Sequence, residues 1–277
     1  MFRRALASAF LFLGVLPCAA QEPPLRVFYT GHSFHMFVPG RVAAAVKAAG
    51  LQEYQLAGTQ GIGGSRVIQH WDKDKGDNAA RKALAKGDVD VFTMAPHLLI
   101  PDEGVDRFVA LGLEHNAKMR FLVQQSWIPF DYLDKRVKDN AERDAAKLDV
   151  DKLRADHAKW RGAMEAQVKA LNKKAGRDAV FIVPAGDAVV RLRVLVADGK
   201  APGIAKQSDL FTDAIGHGKA PIQALVAYCN YACITGRSPV GLSVKDAAIG
   251  EELRDLLQRI AWDTVSAYPM SGVTAKK

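Results

Sequence analysis

The sequence predicts an α/β protein: one domain with a five-stranded parallel sheet covered by helices on both faces. Short β-branched and aromatic runs alternate with helical stretches along most of the chain, an order that calls for parallel strands joined by crossovers. Several runs stop at glycine or proline, where the chain must turn. The length, 277 residues, suits one sheet between two helix layers, and no repeat, low-complexity tract or linker divides it.

The elements follow in order. Leu25 to Gly31 is β-branched and aromatic and ends at glycine, which makes it the first strand. Pro39 to Ala49 has Ala and Val at helical spacing and stops at Gly50, where a left-handed cap suits glycine. A strand at Tyr54 to Ala57, a glycine-rich loop at Gly61 to Gly64, a helix at Asn78 to Lys86 and a strand at Val89 to Met94 come next. Then come a helix at Val105 to Asn116, a strand at Arg120 to Gln125, a charged helical region within Leu133 to Lys174, and a strand at Ala179 to Pro184. Helices near Asp187 to Ala197, Pro221 to Thr235 and Val244 to Ala267 finish the chain.

The stretch from Asp131 to Gly176 is the most polar part. Leu148, Leu153, Trp160, Met164, Val168 and Leu171 fall near helical spacing, so its second half reads as one long amphipathic helix with a single buried stripe. A partner-binding lid is the competing reading.

Arg3 and Arg4, an uncharged apolar run from Ala5 to Leu16, Pro17, and the small residues Cys18, Ala19 and Ala20 read as a secretory signal peptide. Cleavage before Gln21 is expected, since a lipoprotein cut before Cys18 would place Pro17 beside the scissile bond. The expected organisation is a leader over 1–20 and one domain over 21–277, secreted or periplasmic. The apolar run is shorter than the roughly 18 residues that a membrane span needs, and no later segment is both long and uncharged enough.

Lys and Arg number 38 and Asp and Glu 30, a net charge of +8 that falls to +6 when Arg3 and Arg4 leave with the leader. These charges are spread over helices rather than blocked together, which reads as a solvated basic surface and not a nucleic-acid footprint. No pattern specifies an oligomer. Cys229 and Cys233, four apart on a segment that reads as a buried helix, share one face. A bridge across one helical turn is geometrically awkward, so two buried thiols are expected.

In an open parallel sheet, ligands bind beyond the carboxyl ends of the strands. Ser33, in Thr30-Gly31-His32-Ser33-Phe34-His35, follows the first strand on a tight turn that would expose its hydroxyl there. Serine needs a base to become a nucleophile. Far downstream, Leu210-Phe211-Thr212-Asp213-Ala214-Ile215-Gly216-His217 puts an acidic residue close before a histidine in a glycine-containing turn. Such an acid can orient the imidazole and stabilise its charged form while the ring takes the serine proton.

These two segments resemble the first and last motif blocks of the SGNH/GDSL esterase superfamily. Gly31-His32-Ser33 looks like its nucleophile block. The Leu210 to His217 run, followed by a helix with Leu225, Ala227 and Tyr228 and by Thr235-Gly236-Arg237-Ser238-Pro239, is similar to its closing block, with Val183 to Val189 as the lead-in. The likeness is topological from about Leu25 to Pro239. It implies a flavodoxin-like three-layer α/β/α fold, no metal or cofactor, and hydrolysis of an ester through an acyl-enzyme. A small acyl group on carbohydrate is the first substrate expected.

Carried over by position, the resemblance makes Ser33 the nucleophile, His217 the base and Asp213 its orienting acid. Gly64 and the Ser33 backbone N–H become oxyanion donors. Two departures stand out. The acid precedes the histidine by four positions where the superfamily has three, which leaves Asp209 as a rival to Asp213. The superfamily offers an oxyanion asparagine after the third strand, and here that strand runs into Met94-Ala95-Pro96-His97. Either His97 supplies the missing donor or the oxyanion hole lacks one.

His32 and Trp127 are further candidates to line the substrate site, with Trp71 and Trp127 as a stacking platform. Two other readings compete: a catalytically degenerate saccharide-binding module, and a metal site built from His32, His35, His70, His97 and His217.

Overall fold

A computed structural model describes residues 24–274, so the leader and its cleavage site lie outside the described residues. Five strands form one all-parallel sheet: β1 (Leu25–Gly31), β2 (Tyr54–Gly61), β3 (Val91–Met94), β4 (Arg120–Gln124) and β5 (Val180–Val183). Their spatial order is β2-β1-β3-β4-β5, the doubly wound order of flavodoxin-like folds. Chain direction across the sheet reverses between β1 and β3, and the crevice beyond their carboxyl ends is where such folds bind ligands.

Side chains alternate across the sheet. Val27 and Tyr29 enter one core with α1 (Val38–Ala48), α7 (Ala185–Ala197), α8 (Ala220–Thr235) and α9 (Glu251–Ala267). Phe28, Phe92 and Phe121 enter the other with α3 (Ala79–Ala85), α4 (Glu103–His115) and α6 (Val150–Ala175), and two short helices, α2 (Val67–Trp71) and α5 (Asn140–Ala145), complete the set. Helix α8 is apolar on all sides because it is packed between α1, α7 and α9. Its Cys229 and Cys233 are free buried thiols, and burial pushes Cys233 up to about 12. Among the described residues, no helix is long and apolar enough to cross a membrane.

Four elements differ from the sequence reading, each for a physical reason. Strand β2 continues past Ala57 to Gly61, because Thr59, Gln60 and Gly61 pair with Tyr29, Thr30 and Gly31 even though glycines interrupt the apolar pattern. The last helix starts at Glu251 and not Val244: Gly250 is extended, and Asp246 is turned outward into an ion pair with Arg41 at 2.7 Å. The charged region holds two helices, since Asp149 caps a new start by accepting from the Lys152 N–H. Helix α2, with only five residues, is too short to show a periodicity; its first N–H groups are capped by the Asp102 carboxylate.

Candidate active site

The turn after β1 begins at Gly31, where an added Cβ would lie 2.9 Å from Ala95 Cβ and 3.1 Å from His35 Cβ, so a larger residue would push the turn off the sheet. The His32 carbonyl accepts from the N–H groups of His35 and Met36 at 2.9 and 3.1 Å, which leaves Ser33 exposed at the apex. The Ser33 N–H is engaged by no protein acceptor among the described residues.

Below this turn lies a neutral polar network. His35, fully buried, is held between Gln124 Oε1 and Thr93 Oγ1, both at 2.8 Å, and the Gln124 amide donates to the Phe34 carbonyl at 3.0 Å. Burial pushes His35 down to about 4. On the other flank, His70 bonds Thr30 Oγ1 at 2.9 Å and Ser65 Oγ at 2.7 Å, and Ser65 donates onward to the Ile62 carbonyl. Ile62 N–H meets the Gly31 carbonyl at 3.2 Å, so this chain ties the glycine loop to the end of β1. Burial holds His70 at about 4 as well. Gly64 in that loop has φ +61 and is exposed, with open space around it.

The second half of the site is the loop from Leu210 to His217, closed by a bridge between Phe211 and Gly218 and by Thr212 N–H donating to the His217 carbonyl at 2.8 Å. Gly216 adopts φ +97, which lets the chain turn back toward Asp213. Asp213 Oδ1 accepts from the N–H groups of Gly216 and His217 at 2.9 and 3.1 Å. Its Oδ2 lies 2.6 Å from His217 Nδ1, and His217 Nε2 lies 2.9 Å from Ser33 Oγ. Partial burial raises the Asp213 pKa, but the hydrogen bonds from the His217 ring and from the two backbone groups outweigh it, and the carboxyl sits below its ordinary value. An ionised Asp213 fixes the proton on Nδ1 and leaves Nε2 free to accept from the serine hydroxyl. Asp209, the rival acid, is turned away: it accepts from the Ala205 and Lys206 N–H groups at 3.0 and 3.1 Å and so caps its own turn.

Of the remaining candidates, His97 is half-buried after β3, with its ring 6.4 Å from that of His32. Burial and the nearby Arg66 charge lower its pKa. His32 is buried and braces the turn by accepting the Phe34 N–H on Nδ1 at 3.2 Å; burial, with His97 and His217 close by, pushes it down to about 4.

Trp127 corrects the sequence reading. It is 3% exposed, Phe34 covers its face at 4.3 Å, and its Nε1–H donates to the Gly216 carbonyl at 2.7 Å. A ring with one face and its only donor engaged supports the site and does not stack a substrate. Trp71, half-buried, carries the Arg81 guanidinium over its ring at 4.5 Å. Nor do the histidines converge as ligands: among the described residues, no three His, Cys, Asp or Glu side chains form a group able to hold a metal. Both ring nitrogens of His35 and of His70 are already engaged by protein groups.

Sequence reasoning missed the groups that hold the Leu210–His217 loop: Phe130, Asp131, Asn140 and Arg143. Asp131, Asn140 and Arg143 lie in the most polar stretch of the chain, where charged residues read as surface, and Phe130 directly precedes it.

No family model and no curated protein matches the sequence. Solved structures do. A DUF4886 family protein from Bacteroides uniformis has a TM-score of 0.58 at 14% identity, covering 91% of this chain and 97% of its own, which shows a shared fold. A provisionally assigned GDSL-like lipase from Parabacteroides merdae (TM-score 0.45, 12% identity, 79% of this chain and 99% of its own) is also similar. So is phospholipase A1 from Streptomyces albidoflavus (TM-score 0.43, 10% identity, 75% and 98%).

Proposed function

We propose that this chain is a serine esterase of the SGNH/GDSL kind, acting through an acyl-enzyme, with an acyl group on carbohydrate as the substrate class to try first. One observation carries the reading: Ser33, His217 and Asp213 form an unbroken hydrogen-bonded chain of 2.9 and 2.6 Å between residues 184 positions apart. In the proposed reaction Ser33 Oγ attacks the ester carbonyl while His217 Nε2 takes its proton, and Asp213 stabilises the imidazolium. The carbonyl oxygen gains charge toward the Ser33 and Gly64 N–H groups and the His97 ring. His217 then returns the proton to the leaving alcohol, and water repeats the sequence to free the acid and Ser33.

A second reading, a binding module that no longer turns over, rests on the absent asparagine after β3. Labelling with a fluorophosphonate separates the two. Capture at Ser33 in the parent and none in Ser33→Ala is expected, with hydrolysis of a short aryl ester falling by about 10⁴-fold in that variant. A parent chain that neither labels nor hydrolyses defeats the esterase reading. The same proposal has the chain exported and trimmed before Gln21, which mass spectrometry of the exported protein checks.

A further inference from the structure

The loop that carries Asp213 and His217 has little regular structure of its own beyond the Thr212 N–H to His217 carbonyl pairing, and several of its other carbonyls draw donors from elsewhere. One segment supplies them. Trp127 Nε1–H reaches Gly216 O at 2.7 Å, Phe130 N–H reaches Ile215 O at 3.1 Å, and the Asn140 amide reaches Phe211 O at 3.1 Å. Arg143 covers the two carbonyls that matter most: one terminal N–H₂ donates to Asp213 O and the other to Ala214 O, each at 2.8 Å.

The Arg143 side chain is fully buried, and a buried guanidinium needs a counter-charge. Asp131 provides it, its Oδ1 accepting from Arg143 Nε at 3.1 Å and its Oδ2 accepting from Arg193 at 2.8 Å. Arg143 also donates to Asn140 Oδ1. Phe130 and Asp131 stand at φ 58 and 77, left-handed conformations that non-glycine residues rarely adopt. Both strained residues serve this loop, Phe130 directly and Asp131 through Arg143. Concentrated strain of this sort is a feature of functional sites.

We infer that Arg143, anchored by Asp131, is a positioning residue for the Asp213–His217 pair; the inference rests on the esterase reading. Fixing the Asp213 carbonyl fixes the backbone from which its carboxylate reaches His217. A guanidinium reaches Asp131, Asp213 O and Ala214 O from three separate nitrogens in one plane, a fork that the single nitrogen of a lysine ammonium cannot reproduce. Arg193 is a built-in control. It shares Asp131 and, like Arg143, lies over the Phe211 ring, but its other side-chain hydrogen bond goes to Gln207 Oε1 at 2.9 Å, and it donates to none of the 213–216 carbonyls.

The experiment compares Arg143→Lys with Arg193→Lys in the full chain, with folding checked by circular dichroism. The readouts are kcat and KM on a short aryl ester and the NMR resonance of the His217 Nδ1–H proton that faces Asp213. For Arg143→Lys, kcat should fall about tenfold or more while KM stays within about twofold, since transition-state alignment and not substrate binding is lost. The low-field Nδ1–H resonance of His217, which reports its 2.6 Å contact with Asp213 Oδ2, should move upfield or broaden as that hydrogen bond loosens.

Arg193→Lys should lower the Tm but leave the His217 Nδ1–H resonance in place. The inference is overturned if Arg143→Lys keeps both kcat and that resonance, or if Arg193→Lys disturbs them equally. Should Arg143→Lys fail to fold, Asp131→Asn takes its place and must move the resonance in the same way. If the parent shows no Ser33-dependent hydrolysis, the esterase reading falls, yet the NMR resonance still decides the positioning role because it needs no turnover.

Discussion

Ser33 sits on a turn whose supports are neutral and lie directly beneath it, whereas Asp213 and His217 sit on a loop whose supports are charged and come from about 70 residues earlier in the chain. The first region is held by sheet side chains, Thr93 and Gln124, through one buried imidazole. The second is held by a guanidinium compensated by a carboxylate. A hydrogen-bonded imidazole in a closed interior is secure while it stays neutral. A guanidinium remains charged at any pH a protein meets. The two halves of the site should therefore fail under different conditions.

Acid gives the largest effect. His32, His35 and His70 around the Ser33 turn, and His157 on the buried face of α6, are all pushed by burial to about 4. Their folded pKa values are lower than the unfolded value, so unfolding takes up protons below about 6.5. The stability they confer is complete above that pH and is lost as pH falls toward 4, at up to about 1.4 kcal/mol per pH unit for each proton taken up. The Tm should fall steeply between pH 6 and pH 4. Amide exchange should show the Gly31–Phe37 turn opening before the Leu210–His217 loop; the reverse order would break the contrast drawn between the two regions.

The acid–histidine half is tested next. Asp213→Asn should lower kcat by about 10³- to 10⁴-fold through loss of the correct tautomer, while Asp209→Asn changes it by less than about threefold. Equal losses in both variants would mean that the loop rearranges in solution.

His97→Ala should reduce kcat by about 10- to 100-fold and raise KM far less, if its ring donates mainly to the developing oxyanion. An unchanged kcat would leave His97 as packing against His32. The smallest effect is expected for Trp127→Phe, which keeps the stack on Phe34 and removes one donor from the loop. Leaving the Gly216 carbonyl without its partner should cost about 1 kcal/mol, read as a Tm lowered by a few degrees. A Tm unchanged within error would show that water replaces the indole.

The same contrast explains what could be read in advance. Strand β1 was legible to the residue because its apolar run ends at the glycine that the turn requires. The meeting of Ser33 with the Asp213–His217 pair was legible because each stands on a short glycine-containing turn. The supports of the nucleophile were half visible: His35, Gln124 and Thr93 lie near strand ends, but no pattern joins them. The supports of the acid loop were invisible, because Asp131 and Arg143 look like any other charges in a polar stretch and are buried only in the fold, where the Arg143 and Arg193 guanidinium groups both lie over Phe211. Trp127 was misread for a related reason. Aromatic residues near a cleft are equally suited to stacking on a ligand and to holding up a loop, and the Gly216 carbonyl that decides between them lies 89 positions away.

The separation of 184 residues between Ser33 and His217 also orders events in time. A growing chain completes β1 and its serine first and the imidazole only after β5 and α7 exist, and contacts between distant residues form late because closing long loops is slow. On the esterase reading, until α8 seats against α1, with Arg41 of α1 reaching Gln223 at 3.1 Å, Ser33 lacks the imidazole that would serve as its base. On that reading, nascent or truncated forms ending before about residue 210 would leave Ser33 without His217, and fluorophosphonate labelling at Ser33 would report that about the last quarter of the chain has folded home.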